Sequence, residues 1–403
     1  MSRVDHDIVV CGGGVAGACA AALLSRSFRV ALIEARKPEI SLPENDFDPR
    51  VVAISPGSRA ILEAAEGWPA NQDDRIGPYH HMQVHSARGR IDFQASQHGL
   101  AQLGWIVEIP VLQQALWHSI ENHDAVTVLA PQRIRRFDQD EHRVRIELEQ
   151  GKAVRCRLLV AADGARSRLR AQAGIGVDTW HYNQKALVAH IRTEKPNRGL
   201  AWQRFTEHGP LALLPLADGR SSIVWSQSAE RADRLGNWPS EQFLETLNHS
   251  QDSPFGVALE CSTRHALPLI RRKAQRLTQG RLVLLGDAAR TVHPLAGQGL
   301  NLGLADAAAL AEVLEDRTAE ADLDPALKRY QRWRSSASAL TGGGIHAINE
   351  LTFAPGDAGR LLLGLGFSAA GRLWPMRERF VRSACGLDSD SPRLARQTGQ
   401  PRR

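Results

Sequence analysis

The sequence predicts an α/β protein built from a Rossmann-like dinucleotide-binding domain, an inserted antiparallel-sheet domain and a helical C-terminal region. Three observations carry this expectation. Asp7 to Cys11 reads as a buried strand and runs at once into Gly12-Gly13-Gly14-Val15-Ala16-Gly17, an alanine-rich helix to about Arg26 and a second strand, Arg29 to Ile33, which is the order of a βαβ mononucleotide unit. From about Trp180 to Pro268 the chain breaks into short strand-like pieces separated by turns such as Asp218-Gly219, the pattern of an antiparallel sheet. Finally, the apolar run Arg281 to Leu285 leads into Gly286 to Asp306, which reads as a strand end, a glycine-rich loop and a helix start.

A chain of 403 residues has material for on the order of two to three domains and a large core. Its net charge of +6 fits an anionic partner such as a phosphate-bearing cofactor or a membrane surface. The basic residues are scattered, and the densest group, Arg271-Arg272-Lys273, lacks interleaved aromatics, so nucleic-acid binding is not expected. The five cysteines are odd in number and widely spaced, without a C-x-x-C pair or zinc-like spacing, which fits a reducing cytoplasm and gives no metal site. Asp5, His6 and Asp7 precede the first apolar run, unlike a secretory signal. The most apolar C-terminal stretch, Leu361 to Gly371, has 11 residues, short of the roughly 20 needed to span a bilayer.

In the first unit the glycines form G-x-G-x-x-G between a strand and a helix. Gly12 makes the turn, Gly14 admits a pyrophosphate, and Gly17 lets helix and strand close up; Glu34, 22 residues after Gly12, accepts hydrogen bonds from an adenosine ribose. Asp46 to Pro49 reads as a turn, Arg50 to Ser55 as an extended piece and Gly57 to Ala65 as a helix, with Arg50 pairing with Asp46 or Asp48 at the surface. Tyr79 to Phe93 alternates like a strand and enters the second domain. Val107 to Ile120 is a short strand feeding a helix, and strands Ala125 to Leu129 and Val144 to Leu148 are joined by a polar connection. Leu158 to Ala162 is a fully apolar strand ending in Asp163-Gly164, where the plain alternative is a helix cap at Asp163. One helix, near Ser240 to Asn248, covers the middle sheet.

Gly286-Asp287 places a carboxylate just past a strand's carboxyl end, where open α/β sheets bind ligands. After His293-Pro294 and Ala296-Gly297-Gln298-Gly299, apolar Leu300, Leu304, Ala307, Ala311 and Leu314 follow the spacing of a helix starting near Gln298. Its free N–H groups suit an electron-rich group that becomes anionic. For the glycines alone, a plain turn into a packing helix reads equally well. Beyond Asp306 the chain is mostly helical. Leu361 to Leu373, with Arg372, Arg377, Arg379 and Arg382, reads as a packed terminal helix, with membrane contact as the alternative, and the polar tail Asp388 to Arg403 is expected to fray.

Taken together, GGGVAG with Glu34, DGARSRLR from Asp163 to Arg170, and GDAARTVHPLAGQGLNLG resemble the group A flavoprotein aromatic hydroxylases, specifically the ubiquinone-biosynthesis hydroxylases of bacteria, over residues 5 to 386. RVVAIS, VLQQALW, GPLALLPL and SSIVWS support the resemblance. It implies that Gly12, Gly14 and Gly17 cradle the pyrophosphate of FAD, Glu34 holds its ribose, and Arg50 lies beside the flavin. Asp163-Gly164 would touch FAD and be linked to NAD(P)H use. Gly286 and Asp287 would bind the ribityl or pyrophosphate region, and the loop carrying Pro294, Gly297, Gln298, Gly299, Leu300 and Asn301 would sit under the pyrimidine edge of the flavin. The chain then divides into an FAD-binding domain of residues 1–78, 99–178 and 269–335, a substrate domain of 79–98 and 179–268, and a helical region of 336–403. Two positions depart from the family's pattern: Arg290 where Ala-Ala-His-Thr is common, and Ile109 where Val-Glu-Asn is common.

The implied activity is hydroxylation of the ring of a polyprenylated phenol or quinol in ubiquinone biosynthesis, using NAD(P)H and O2 through a flavin hydroperoxide, without a metal. No catalytic base is named, and His293 reads equally as a loop residue fixed by Pro294. Lys185 to Pro196, SSIVWS and Ser338-Ala339-Leu340 look like the subgroup acting at ring position 5, whereas VLQQALW and Trp180 after Gly174 to Val177 also look like the position 6 subgroup. Position 1, another aromatic or isoprenoid substrate, and a non-catalytic FAD-binding subunit remain as alternatives; a flavin halogenase is disfavoured because W-x-W-x-I-P is absent. Peripheral association with the inner membrane or a biosynthetic complex is expected, because such a substrate lives in the bilayer.

Overall fold

A computed structural model describes residues 4–44, 46–86, 89–292, 298–315, 322–337 and 374–396. Six strands form the first sheet, in the order Thr278–Gln279, Leu282–Leu284, Leu158–Ala161, Ile8–Cys11, Val30–Ile33 and Val126–Leu129. All neighbours are parallel except the first pair. Buried on both faces, the three central strands are nearly continuous runs of Val, Leu, Ile and Ala, as a sheet sandwiched between layers requires. Helices Val15–Leu24, Ile109–Glu121 and Gln298–Leu314 pack around it and complete the main core.

Register explains why motifs far apart in sequence meet. Cys11 stands opposite both Ile33 and Ala161, and Ala161 opposite Leu284. Gly12, Glu34, Asp163 and Gly286 therefore all emerge within a residue or two of the same carboxyl edge.

The second sheet is antiparallel apart from one pair. Its order is Arg290–Thr291, His265–Ala274, Val177–Thr193, Ser221–Ser228, Gly209–Pro215, Leu200–Thr206, His81–Ser86 and Gly89–Gln94, with Ala258–Cys261 pairing on Val177–Thr193. One face packs Leu187, Trp202, Leu213, Ile223 and Trp225 against Phe243 and Leu247. The period of two sends Ala201, Gln203, Ala212, Leu214, Val224 and Ser226 to the opposite face. A three-stranded sheet of Val51–Ile54, Gly104–Glu108 and Ile76–Tyr79 bridges the two bodies.

Four local expectations change. The connection before Val144 contains a strand, Ile134–Gln139, whose charged residues point outward on an edge and mask its period. Two helices rather than one cover the large sheet, because Ala229–Asn237 buries only Ala232 and Leu235 and is otherwise polar. The stretch from Tyr79 to Phe93 is the end of one strand followed by a hairpin. The tail does not fray at Asp388: Trp333 donates to the Asp390 carbonyl at 2.7 Å, the Arg393 N–H donates to Glu312 at 2.8 Å, and Ala395 is buried. Leu361 to Leu373, like His293 to Gly297 and Ser338 to Leu340, lies outside the described residues, whereas the helix Trp374–Ala384 that follows Leu373 is described.

Candidate active site

The first glycine loop is shaped by contacts at its backbone. Gly12 has φ of 111°, and a side chain there would meet the Ala162 carbonyl at 2.3 Å; only glycine fits such a position without strain. A Cβ on Gly17 would stand 2.0 Å from the Gly12 carbonyl, whereas one on Gly14 would have nothing within 4 Å. Gly12 and Gly17 are thus required by the fold, and Gly14 borders open space. Glu34 accepts the Gly13 N–H at 2.6 Å, while the Gly13 carbonyl accepts from Trp117 Nε1 at 2.8 Å and Gln113 Nε2 at 3.1 Å. Trp117 and Gln113 fall in a segment whose helical period conceals this contact with the loop.

The N-cap of the helix Arg168–Gln172 is Ser167, whose Oγ accepts the Arg170 N–H at 3.0 Å, and Asp163 adds to the capping from four residues upstream. Asp163 Oδ2 accepts the N–H groups of Arg168 at 2.8 Å and Leu169 at 3.2 Å, and its buried Oδ1 has no partner among the described residues. The helix that follows is not wholly solvated: Arg170 turns inward and donates to the carbonyls of Ala288, at 2.8 Å, and Ala165, at 3.2 Å. It ties the second Asp-Gly loop to the third.

The third loop rests on a buried ionic triad. Arg290 donates to Asp306 at 2.7 and 3.1 Å, Arg334 Nε donates to the same carboxylate at 2.7 Å, and the Gly286 N–H at 3.2 Å. Burial alone would raise the Asp306 carboxyl, but the two guanidiniums hold it below the ordinary range. Arg290, a departure from the family's pattern, is therefore spent beneath the loop. Asp287 instead opens onto the cleft while protein encloses its other sides. That enclosure raises its carboxyl, against the opposing pull of Arg290 and Arg272.

One cavity of about 570 Å3 joins these loops to the large sheet. Gly14, Gly17, Gly164, Gly286, Asp287, Gln298, Gly299 and Leu300 line it, as does Ile109, the other departure. The sheet contributes Gln203, Ala212, Val224 and Ser226, and Val381, Ala384 and Cys385 form a wall at the end of helix Trp374–Ala384. Gly12, Glu34, Asp163, Arg50 and Asn301 do not line it. Arg50 pairs with Asp48 at 2.9 Å. The Asn301 side chain accepts the Ser55 N–H at 3.0 Å and donates to the Ala53 carbonyl at 2.8 Å, clamping the helix Gln298–Leu314 to a bridging strand. Pro294 and Gly297 lie outside the described residues. The sheet and C-terminal wall residues escape sequence reasoning, since each looks like ordinary core.

The residues fit FAD. Gly14 leaves room at the start of a helix whose first turn no side chain caps, a ready seat for a pyrophosphate. Asp163 Oδ1 and Thr291 Oγ1 are buried and have no partner among the described residues, and Thr291 borders the cavity.

A dinucleotide seat continuous with an apolar chamber defines an oxidoreductase that brings a cofactor's reactive end to an apolar substrate. The sequence profile of the FAD binding domain matches residues 5–341. The chain belongs to that family and is an FAD-dependent, NAD(P)H-using aromatic-ring monooxygenase. It is 34% identical to the 3-demethoxyubiquinol 3-hydroxylase of Escherichia coli, over 96% of this chain and 100% of that one. It is 33% identical to the ubiquinone hydroxylase UbiL of Rhodospirillum rubrum, over 97% and 92%. PqsL of Pseudomonas aeruginosa in complex with 2-aminobenzoylacetate shares its fold, with a TM-score of 0.76 at 24% identity over 90% of this chain and 99% of that one.

Proposed function

We propose that this enzyme hydroxylates the ring of a polyprenylated phenol in ubiquinone biosynthesis. The observation that carries this reading is one continuous cavity in which the glycine loops meet an apolar sheet face and an apolar helix wall. When bound, FAD accepts a hydride from NAD(P)H and activates O2 for transfer of one oxygen atom to the ring. Gly12, Gly14 and Gly17 would cradle its pyrophosphate and Glu34 its ribose, with Asp163, Gly164, Gly286 and Asp287 along its chain. The start of helix Gln298–Leu314 would face its pyrimidine edge, where a helix N-terminus favours negative charge. Arg50 would turn to the flavin from its pairing with Asp48. Ala201, Ala212, Leu214 and Val224 would exclude water from the ring, which strengthens every polar contact inside.

The primary reading of ring position is the first of the three added hydroxyls, position 5. The Escherichia coli relative favours the later, demethoxy step instead. The quinone profile of a deletion strain decides: a polyprenylphenol lacking the first hydroxyl is expected, and accumulation of the demethoxy quinone establishes position 6.

Peripheral association with the membrane or a biosynthetic complex belongs to the same proposal. Among the described residues no helix is long and apolar enough to cross a bilayer, and Arg379 and Arg382 lie on the C-terminal helix beside the cavity wall. Removing residues beyond Thr352 should shift the protein out of the membrane fraction; an unchanged distribution counts against the association.

A further inference from the structure

We propose that Gln203 and Ser226 are the two polar points that orient the aromatic ring, and so select the carbon that is hydroxylated. This rests on the reading above and names the residues that set its specificity. Both side chains line the cavity, both belong to residues at most 8% exposed, and neither has a hydrogen-bond partner among the described residues. Asn197, equally buried in the same domain, shows the ordinary arrangement: its amide donates to Leu200 O and Ser221 Oγ at 3.0 Å each. Gln227, Ser222 and the indoles of Trp202 and Trp225 also carry polar atoms without a partner among the described residues, but those atoms are sealed from any accessible space. Gln203 and Ser226 differ in opening onto the chamber, where a ligand can supply what the protein does not.

The register of the sheet sets their separation. Gln203 stands opposite Ala212, and Ala212 opposite Val224, with Ser226 two residues further on the same face. Two strand spacings across and two residues along place their Cα atoms about 12 Å apart. Between them lie Ala212, Val224 and Pro210, small or rigid apolar residues that form a flat floor. A phenol oxygen held by one hydrogen bond lets the ring swing about it, and an oxygen held from two sides, by Gln203 and by Ser226, does not. Gln203 both donates and accepts, and Ser226 does the same through one hydroxyl, so the pair accepts a phenol oxygen in either role. They are positioning residues: neither moves a proton in the reaction.

The test compares Gln203→Leu and Ser226→Ala with the parent, using 2-farnesylphenol as probe. Productive turnover consumes one phenol, one O2, one NAD(P)H and one proton and gives catechol, water and NAD(P)+; without transfer to the ring, the same O2 and reductant give H2O2. In both variants FAD content and the thermal midpoint should match the parent, while the dissociation constant from flavin absorbance rises at least fivefold. Product formed per NAD(P)H should fall at least fivefold, with H2O2 making up the difference. Unchanged affinity and coupling in both variants would overturn the proposal. Loss of FAD or of the folded state in Gln203→Leu and also in Gln203→Met assigns the amide to the fold and overturns it as well. If the parent does not hydroxylate farnesylphenol, the substrate reading fails on its own. The same comparison with a phenol the parent does turn over then tests the two residues.

Discussion

Gly14 and Gly17 have different roles in the motif, and one substitution at each separates them. A methyl group on Gly17 would stand 2.0 Å from the Gly12 carbonyl, and relief of that overlap costs about 1–3 kcal/mol. Gly14→Ala meets nothing in the protein. It should leave the stability of the FAD-free protein within about 1 kcal/mol while reducing FAD retention, measured as flavin per protein after gel filtration. Asp287 offers the complementary case. Its folded carboxyl is raised by enclosure, so its ionised form destabilises the FAD-free fold at neutral pH, and the penalty disappears as pH falls below the unfolded value of about 3.9. The FAD-free Asp287→Asn variant should melt higher than the parent at pH 7, with the gap closing toward pH 4. Asp287→Ala should hold less FAD; equal flavin occupancy in variant and parent would remove Asp287 from the cofactor site.

At the scale of elements, the ionic triad and the C-terminal helix decide how the site is held. Replacing Arg290 by Met leaves part of the buried Asp306 charge uncompensated, a change that costs about 3–5 kcal/mol and should appear in urea unfolding. Asp306 is depressed in the folded state, so the stability it contributes is present above the unfolded carboxyl value and is lost as pH falls through the folded one. The parent's midpoint should therefore drop steeply below about pH 4, and less steeply in Asp306→Asn. Helix Trp374–Ala384 is pinned at both ends. His98 Nδ1 lies 2.5 Å from Glu378 Oε2, and the Gly57 N–H donates to the Cys385 carbonyl at 2.9 Å. Ala384→Phe puts a ring into the chamber from the wall formed by the C-terminal helix. FAD content should stay constant and KM for a prenylated phenol rise about tenfold.

Across the whole molecule, cofactor and fold are linked, since the proposed FAD seat is assembled from three loops at one sheet edge that no unfolded chain presents together. Ligand at about 100 times its dissociation constant should stabilise the protein by about 2.7 kcal/mol, and the shift should shrink in Gly14→Ala in proportion to lost affinity. The bridging sheet and the Arg220–Asp46 ion pair, 2.8 Å long, join the two bodies, so FAD added to the apoprotein should raise the melting of both sheets together in calorimetry.

The sequence by itself determined the α/β class and the cofactor, and it marked the glycine loops that meet at one sheet edge. A glycine that must adopt positive φ, and a carboxylate at a strand's end, have local causes that short stretches of chain record. Elements with weak local signals were not legible, such as the charged edge strand Ile134–Gln139 and the polar helix Ala229–Asn237. Nor was the division of labour within motifs: Arg290, Asn301 and Asp163 stand among cofactor residues, yet each commits polar atoms to backbone or buried charge. Only the tertiary structure decided which residues face the cavity. Which face of each strand looks into the cleft, and which distant helix closes it, depends on register and packing across the chain, and Gln203, Ser226, Val381 and Ala384 carry no mark of that until the sheet is assembled.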